Sequence, residues 1–287
     1  MQVKAMACEL PSQNGQPLSR YSGSDLVREI TGRGLVASIS GRTVWRWLDQ
    51  DAIRPWQHRS WIFPRDPQFQ SKAERVLDLY QGLWEGQPLK AGDFVISADE
   101  KTSIQARLRL HQSLPPQPGQ ARRVEFEYER GGALAYLAAW DVRRAKIFGR
   151  CESTTGIKPF GRLVGQVMEQ KPYRQARRVF WIVDNGSSHR GAAAVERLHK
   201  RYPNLILVHL PVHASWLNQV EIYFSVVQRK VLTPNDFVSL SQVAQRLFAF
   251  QQLYEQSARP FEWKFTRADL RDLMLKLSDN PAAALAA

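Results

Sequence analysis

Apolar residues recur along this chain with two different periods, and the change of period divides it. Over the first sixty residues the period is helical. Residues 3–10 form a short apolar-rich helix stopped by Pro11, and Ser24 is placed to cap DLVREITGRG, with Leu26, Val27 and Ile30 inward and Gly32 and Gly34 ending it. Ser40 is placed to cap GRTVWRWLDQ, where Val44, Trp47 and Leu48 turn inward while Arg42, Thr43 and Arg46 stay in solvent. The run IRPWQHRSWIFPRDPQF then has no period at all and reads as a linker, with Arg54, His58, Arg59 and Arg65 able to track phosphates. Helical spacing returns in SKAERVLDLYQGLW, which sets Val76, Leu79, Tyr80 and Leu83 on one side of a bracing helix.

From residue 91 onward, strands alternate with helices. DFVISADEKT is an apolar run that ends at Asp99. RVEFEYER alternates with period two, and ALAYLAAWDVRR and KIFGRCEST complete an antiparallel meander, with a turn at Gly131 and Gly132. A helix over 159–170 follows, then the strand RRVFWIVD, a helix over 188–202 with Ala192, Val195 and Leu198 inward, and the strand LILVHLP. A final helix carries the stripe Val220, Tyr223, Phe224, Val227 and Val231, which leaves Asn218, Glu221, Ser225 and Gln228 on another face. Three strands, helix, strand, helix, strand, helix is the order of an α/β fold, a ribonuclease H-like mixed sheet flanked by helices. Here it is preceded by a small all-α unit in which three short helices, the last presenting Arg and Thr, read as a helix-turn-helix. The expected limits are 1–60 for that unit, 61–90 for linker and brace, and 91–287 for the α/β domain.

Charge narrows the function. Forty Lys and Arg against 27 Asp and Glu leave a net charge of +13, an excess suited to a polyanion, so double-stranded DNA leads the expected partners and Arg42, Thr43, Arg46, Arg54 and Arg59 are the candidate contacts. Two cysteines exclude a disulfide scaffold and a Cys-rich zinc site, and the opening MQVKAMACELP has no long apolar core; both point to the cytoplasm.

Candidate chemistry lies in the carboxylates. Asp99 and Asp184 each close an apolar strand, and in the expected sheet those strands are adjacent and parallel, so their C-terminal ends converge, with Glu221 arriving from a helix at the same edge. Three uncompensated carboxylates repel one another, which makes sense with a divalent cation, and hard oxygen ligands with little His and no Cys select Mg2+ or Mn2+. Asn185 and His189 follow the second Asp, and Asn218 lies one turn before Glu221; each is a candidate to orient a carboxylate or a candidate cap. Glu100 points to the face opposite Asp99, Lys101 can reach DNA, Asp93 and Asp141 are decoys, and Trp216 is the aromatic best placed to stack on a base.

The blocks ISADEKT, IVDNGSSH and HASWLNQVE resemble the three catalytic blocks of DDE transposases, in the bacterial insertion-sequence branch of the mariner-like superfamily. Thirty-six residues lie between Asp184 and Glu221, close to the spacing of that branch, and RPWQHRSWIFPRDP resembles its linker. The resemblance implies that Asp99, Asp184 and Glu221 are catalytic and hold two Mg2+ or Mn2+ ions, one activating water or a DNA 3′-hydroxyl and the other stabilising the leaving oxygen. It further implies binding to terminal inverted repeats, strand transfer, and a homodimer when two element ends are paired. Many relatives carry two helix-turn-helix units, and this chain has room for the second alone. Competing expectations are a transposase-derived DNA-binding protein that does not cut, and a ribonuclease H-like nuclease acting on hybrids.

Overall fold

The computed structural model describes residues 2–58, 64–186, 189 and 191–278. Contacts divide the chain into two compact units, Met1–Ile62 and Phe63–Ala287.

The first unit is helical. Helix α1 spans Gln2–Ala7, α2 Gly23–Gly32 and α3 Gly41–Asp49. Leu26 and Ile30 of α2 and Val44 and Leu48 of α3 are buried with Val3, Met6 and Tyr21 in one small core. The cap of α2 is Ser22 rather than Ser24. Ser22 forms a reciprocal box with Asp25, because Asp25 sits three places after Ser22 and can return a bond to its N–H. Ser40 caps α3 as the sequence predicts, accepting from Thr43 N–H at 3.2 Å.

The second unit begins with α4 (Phe69–Tyr80) and a two-residue hairpin of β1 (Leu83–Trp84) and β2 (Gln87–Pro88). Its sheet is built from β3 (Asp93–Leu108), β4 (Glu129–Asp141), β5 (Lys146–Glu152), β6 (Arg178–Val183) and β7 (Leu205–His209). The spatial order is β5-β4-β3-β6-β7, with β3, β4 and β5 antiparallel and β6 and β7 parallel to β3. Helix α5 (Ile157–Met168) precedes β6, α6 (Ala192–Arg201) separates β6 from β7, and α7 (Val220–Lys230), α8 (Leu240–Glu255) and α9 (Arg267–Ser278) follow. This is the mixed, helix-flanked ribonuclease H-like sheet that the order of elements predicts.

Strand alternation builds two cores, one on each face. Val95, Tyr136, Trp140, Phe180 and Ile182 pack with α4, α7 and α8, while Ile96, Ala98, Leu137, Trp181 and Val183 pack with α5 and α6. Each such aliphatic or Phe side chain contributes about 1.5–3 kcal/mol by leaving water. Among the described residues no helix is long and apolar enough to cross a membrane.

Four expectations are corrected. Asp99 does not end its strand, because β3 continues to Leu108 on the strength of its pairing with β4. RVEFEYER is not a separate strand: Glu129 and Arg130 open β4 opposite Leu108 and Arg107, Arg123 makes only an isolated bridge to Leu114, and Phe126 between them is 94 % exposed. Gly131 and Gly132 lie inside β4 rather than at a turn; a Cβ on Gly131 would stand 2.1 Å from Leu108 Cδ1, so the glycine serves close approach. Helix α6 turns Ala194 and Leu198 inward, while Ala192 and Val195 are exposed, because the helix begins at Ala192, and the expected start at Ser188 lies outside the described residues.

Candidate active site

Strand register brings the two aspartates level. β3 and β6 run parallel with Asp93 opposite Arg178 and Ser97 opposite Ile182, and the same register continued two places sets Asp99 beside Asp184. Adjacent strands lie about 4.8 Å apart. The pairing of β6 stops at this point, so both carboxylates stand at the mouth of the sheet, where open α/β folds bind ligands. Glu221 sits in the first turn of α7, and its charge acts on Asp99 together with that of Asp184.

A buried polar lattice fixes this arrangement. Asn218, wholly buried, donates from Nδ2 to Asp99 Oδ2 at 3.2 Å and to Ala98 O at 3.0 Å, and its Oδ1 accepts from the Ser97 hydroxyl. Helix α7 has no side-chain cap of its own. Its leading N–H groups are instead met by tertiary partners, Val220 N–H by Ser97 Oγ at 2.9 Å and Gln219 N–H by Tyr80 Oη at 3.2 Å. The Tyr80 hydroxyl in turn donates to Leu217 O at 2.7 Å. Strand β3 and helix α4 thereby set the position of the helix that carries Glu221.

Asp184 is held differently. His189, buried, bonds through Nε2 to Asp184 Oδ1, and Gly186 N–H donates to the same oxygen at 2.8 Å. The His189 carbonyl accepts from His209 Nε2 at 2.8 Å, which ties the loop to β7. A Cβ on Gly186 would meet Asp184 Oδ1 at 3.0 Å and the His189 ring at 3.1 Å, a close approach that any larger residue would press on. Asn185 turns away from the carboxylates and donates to Leu210 O at 2.8 Å, serving the backbone.

The electrostatics of the three acids diverge. Burial, joined by repulsion from Asp184, Glu221 and Glu100, raises the Asp99 carboxyl to about 7 against the opposing N–H of Glu100. Burial and the charge of Asp184 also raise Glu221, while Lys101 opposes. Asp184 lies below its ordinary value because the His189 bond outweighs desolvation. Among the described residues neither Asp99 nor Glu221 has an ion-pair partner, whereas Asp93 is bonded to Arg178 at 2.8 Å and Asp141 to the Tyr173 hydroxyl at 2.7 Å. Asp93 and Asp141 are structural, as the sequence predicts.

Hard, uncompensated oxygen donors of this kind fit Mg2+ or Mn2+. Among the described residues no three His, Cys, Asp or Glu side chains form a ready-made cage. Mg2+ usually takes one or two carboxylates and completes its shell with water and substrate phosphates, so an open set of donors suits it.

The candidate DNA contacts lie in the first unit. Arg42 and Arg46 are exposed on α3 beside Trp45, and Arg54 is exposed after it, while Thr43 is half-buried and its hydroxyl shares a hydrogen bond with Ser40. Arg59 lies outside the described residues. Trp216, expected to stack on a base, is half-buried in the core edge-on to Phe265, with ring centroids 5.1 Å apart. The sequence marks Tyr80 only as part of the apolar side of the bracing helix and gives Ser97 no role; the one signal for Ser97 is a lone polar residue inside the apolar run DFVISAD.

Residues 95–244, which contain all three carboxylates, match the sequence model of the family described as DDE superfamily endonuclease. Among solved structures, the Mos1 mariner paired end complex with Mn is similar at a TM-score of 0.53 and 16% identity, over 84% of this chain and 76% of that one. The Mos1 transposase paired-end complex with left transposon end gives 0.51 at 14% identity, over 83% and 73%. The mariner Mos1 paired end complex with Mg gives 0.50 at 14%, also over 83% and 73%. At these identities the likeness establishes the fold. No curated protein matches the sequence.

Proposed function

The chain belongs to the DDE superfamily of endonucleases, and from that premise we propose that it is a transposase of the bacterial insertion-sequence branch of the mariner-like superfamily. In this reading it binds terminal inverted repeats, cuts DNA with Mg2+ or Mn2+, and joins the 3′ ends to a target. The observation that carries the reading is the level placement of Asp99 and Asp184 on adjoining parallel strands, with the charge of Glu221 acting on Asp99 and that of Asp184 on Glu221.

Asp99, Asp184 and Glu221 are the residues that would hold two ions. Bound there, the metal supplies Lewis acidity toward the scissile phosphate and toward the water or 3′-hydroxyl that attacks it. The protein supplies position. Asn218 fixes the orientation of the Asp99 carboxylate, His189 and Gly186 fix that of Asp184, and Ser97 and Tyr80 hold the first turn of α7 so that Glu221 faces them. Asn218 and His189 are therefore assigned as positioning residues, and Asn185 as a clamp on the backbone.

Recognition is assigned to residues 1–60, with Arg42 and Arg46 on the open face of α3 and Arg54 and Arg59 following the backbone, within a chain of net charge +13. Pairing two element ends calls for two catalytic units, hence a homodimer in the active complex. The structures of similar fold are paired-end complexes of Mos1, which supports that assembly as a proposal.

The test is strand cleavage on a duplex bearing the element's repeat, with and without Mg2+. Metal-dependent nicking that Asp184→Ala abolishes is the expected result. Repeat binding without nicking would replace this reading with a DNA-binding protein, and preferential cleavage of an RNA–DNA hybrid would replace it with a nuclease of the same fold.

A further inference from the structure

Beyond Ser97, strand β3 loses β6 as a neighbour yet runs on to Leu108. Further along the edge that β6 leaves, Asn235 donates to Gln105 O at 2.7 Å and accepts from Arg107 N–H at 3.3 Å. Along that edge lies a groove of about 900 Å³ that starts at Lys101 and reaches Arg109. Residues 124–128 of the long β3–β4 connection form one wall, and the stretch from Gln228 to Asn235 forms the other. The mouth is at the carboxylates: Lys101 lies two residues past Asp99 and its charge acts on Glu221. From Asp99 to Arg107 the strand covers about 25 Å at ~3.3 Å per residue.

The lining has a consistent chemistry. Lys101, Arg107 and Arg109 bring three cations, none of them in an ion pair among the described residues, and the Arg107 Nε is buried without a hydrogen-bond partner. The guanidinium groups of Arg107 and Arg109 lie over the Tyr128 ring, at 4.6 and 5.6 Å. Phe126 projects into solvent at 94 % exposure beside them. The groove's one acid, Glu125, is drawn off by His111, which meets it at 2.7 Å. Cations along a track, with aromatic faces between them, are what a single nucleic-acid strand recruits. Bases in a duplex have no free face to offer Phe126 or Tyr128.

We propose that this groove holds an unpaired DNA strand continuing from the scissile phosphate, its phosphates on Lys101 and Arg107 and its bases stacked on Phe126 and Tyr128. The proposal rests on the transposase reading for its choice of DNA and specifies which part of the substrate leaves the site along β3. The bulge between Lys101 and Ile104, with Ser103 at φ +56°, bends the strand where the path begins.

The test uses the full chain with Mg2+ and two duplexes of one sequence, one blunt and one ending in a single-stranded tail that carries 2-aminopurine. The wild-type protein is expected to quench the probe and to bind the tailed duplex about tenfold more tightly than the blunt one. Phe126→Ala, at a site too exposed to disturb folding, and Arg107→Gln are each expected to reduce that ratio several-fold, and Phe126→Ala to remove the quenching. A ratio unchanged by both variants, or no tail preference in the wild type, overturns the proposal. Nicking measured in the same samples separates the two claims: tail preference without nicking contradicts the transposase reading, and nicking without tail preference contradicts the groove.

Discussion

The Ser97 hydroxyl joins strand to helix: it donates to Asn218 Oδ1 and accepts the Val220 N–H at 2.9 Å, and so couples the strand bearing Asp99 to the helix bearing Glu221. Ser97→Ala would leave a buried helix N–H and the Asn218 carbonyl oxygen unpaired. The expected cost is about 1–3 kcal/mol of stability, read from denaturant midpoints, with a lower nicking rate at saturating Mg2+. Rescue of both by Ser97→Thr is expected only if the added methyl fits beside α7; a Ser97→Ala protein as stable and active as wild type contradicts the coupling.

Asn218→Asp keeps the shape of the side chain but removes the donor to Asp99 and adds a negative charge beside a carboxyl already raised by burial and by the charges of Asp184 and Glu221. Nicking is expected to fall at least tenfold, with the Mg2+ concentration needed for half-maximal rate changed as well. An Asn218 that only capped the helix would alter stability and leave the metal dependence alone.

Gly186→Ala places a Cβ against Asp184 Oδ1 and the His189 ring, neither of which is free to move while they bond to each other. A misplacement of about 1 Å at a reacting centre can cost ~10²-fold in rate, and a smaller shift correspondingly less. The expected signature is a loss of nicking, accompanied by some loss of thermal midpoint because the buried His189 ring also packs on Phe160 at 4.8 Å.

Away from the site, Asp93 has a fully enclosed side chain bonded to Arg178 and Arg177. Burial alone would raise its carboxyl, but the Arg178 hydrogen bonds, the Lys90 N–H and the two arginine charges outweigh it and hold the group below its ordinary value. A depressed native value means stability that is present above the unfolded value of about 4 and lost as pH falls through the native one. Asp93→Asn is expected to cost about 1–3 kcal/mol at pH 7 and to be less sensitive than wild type to acid as the pH falls below about 4, as followed by urea unfolding.

The sheet was legible because its strands carry their own signals: FWIV and LILV are apolar throughout, as doubly covered parallel strands must be, and Asp184 closes the first of them. The extension of β3 beyond Asp99 is not legible because DEKTSIQARL is polar, and pairing with β4 overrides local composition there. RVEFEYER is the opposite case: its alternation is genuine, but only Glu129 and Arg130 are taken into the sheet and the residues before them have no ladder beyond the single Arg123–Leu114 bridge. Pattern placed the three carboxylates in their elements. It could not give the partners of Ser97 and Tyr80, which act across 121 to 139 residues of chain and leave no local periodicity.

The central claim is that Asp99, Asp184 and Glu221 act as one metal-dependent unit. Single-turnover nicking of repeat-bearing duplex, measured as Mg2+ is raised from zero for wild type, Asp99→Asn, Asp184→Asn and Glu221→Gln, tests it most directly. The account predicts nicking only with the metal, lost by a factor of about 10³ or more in every variant, with repeat binding retained. Nicking without a divalent ion, or an Asp99→Asn protein that cuts like wild type, would contradict it.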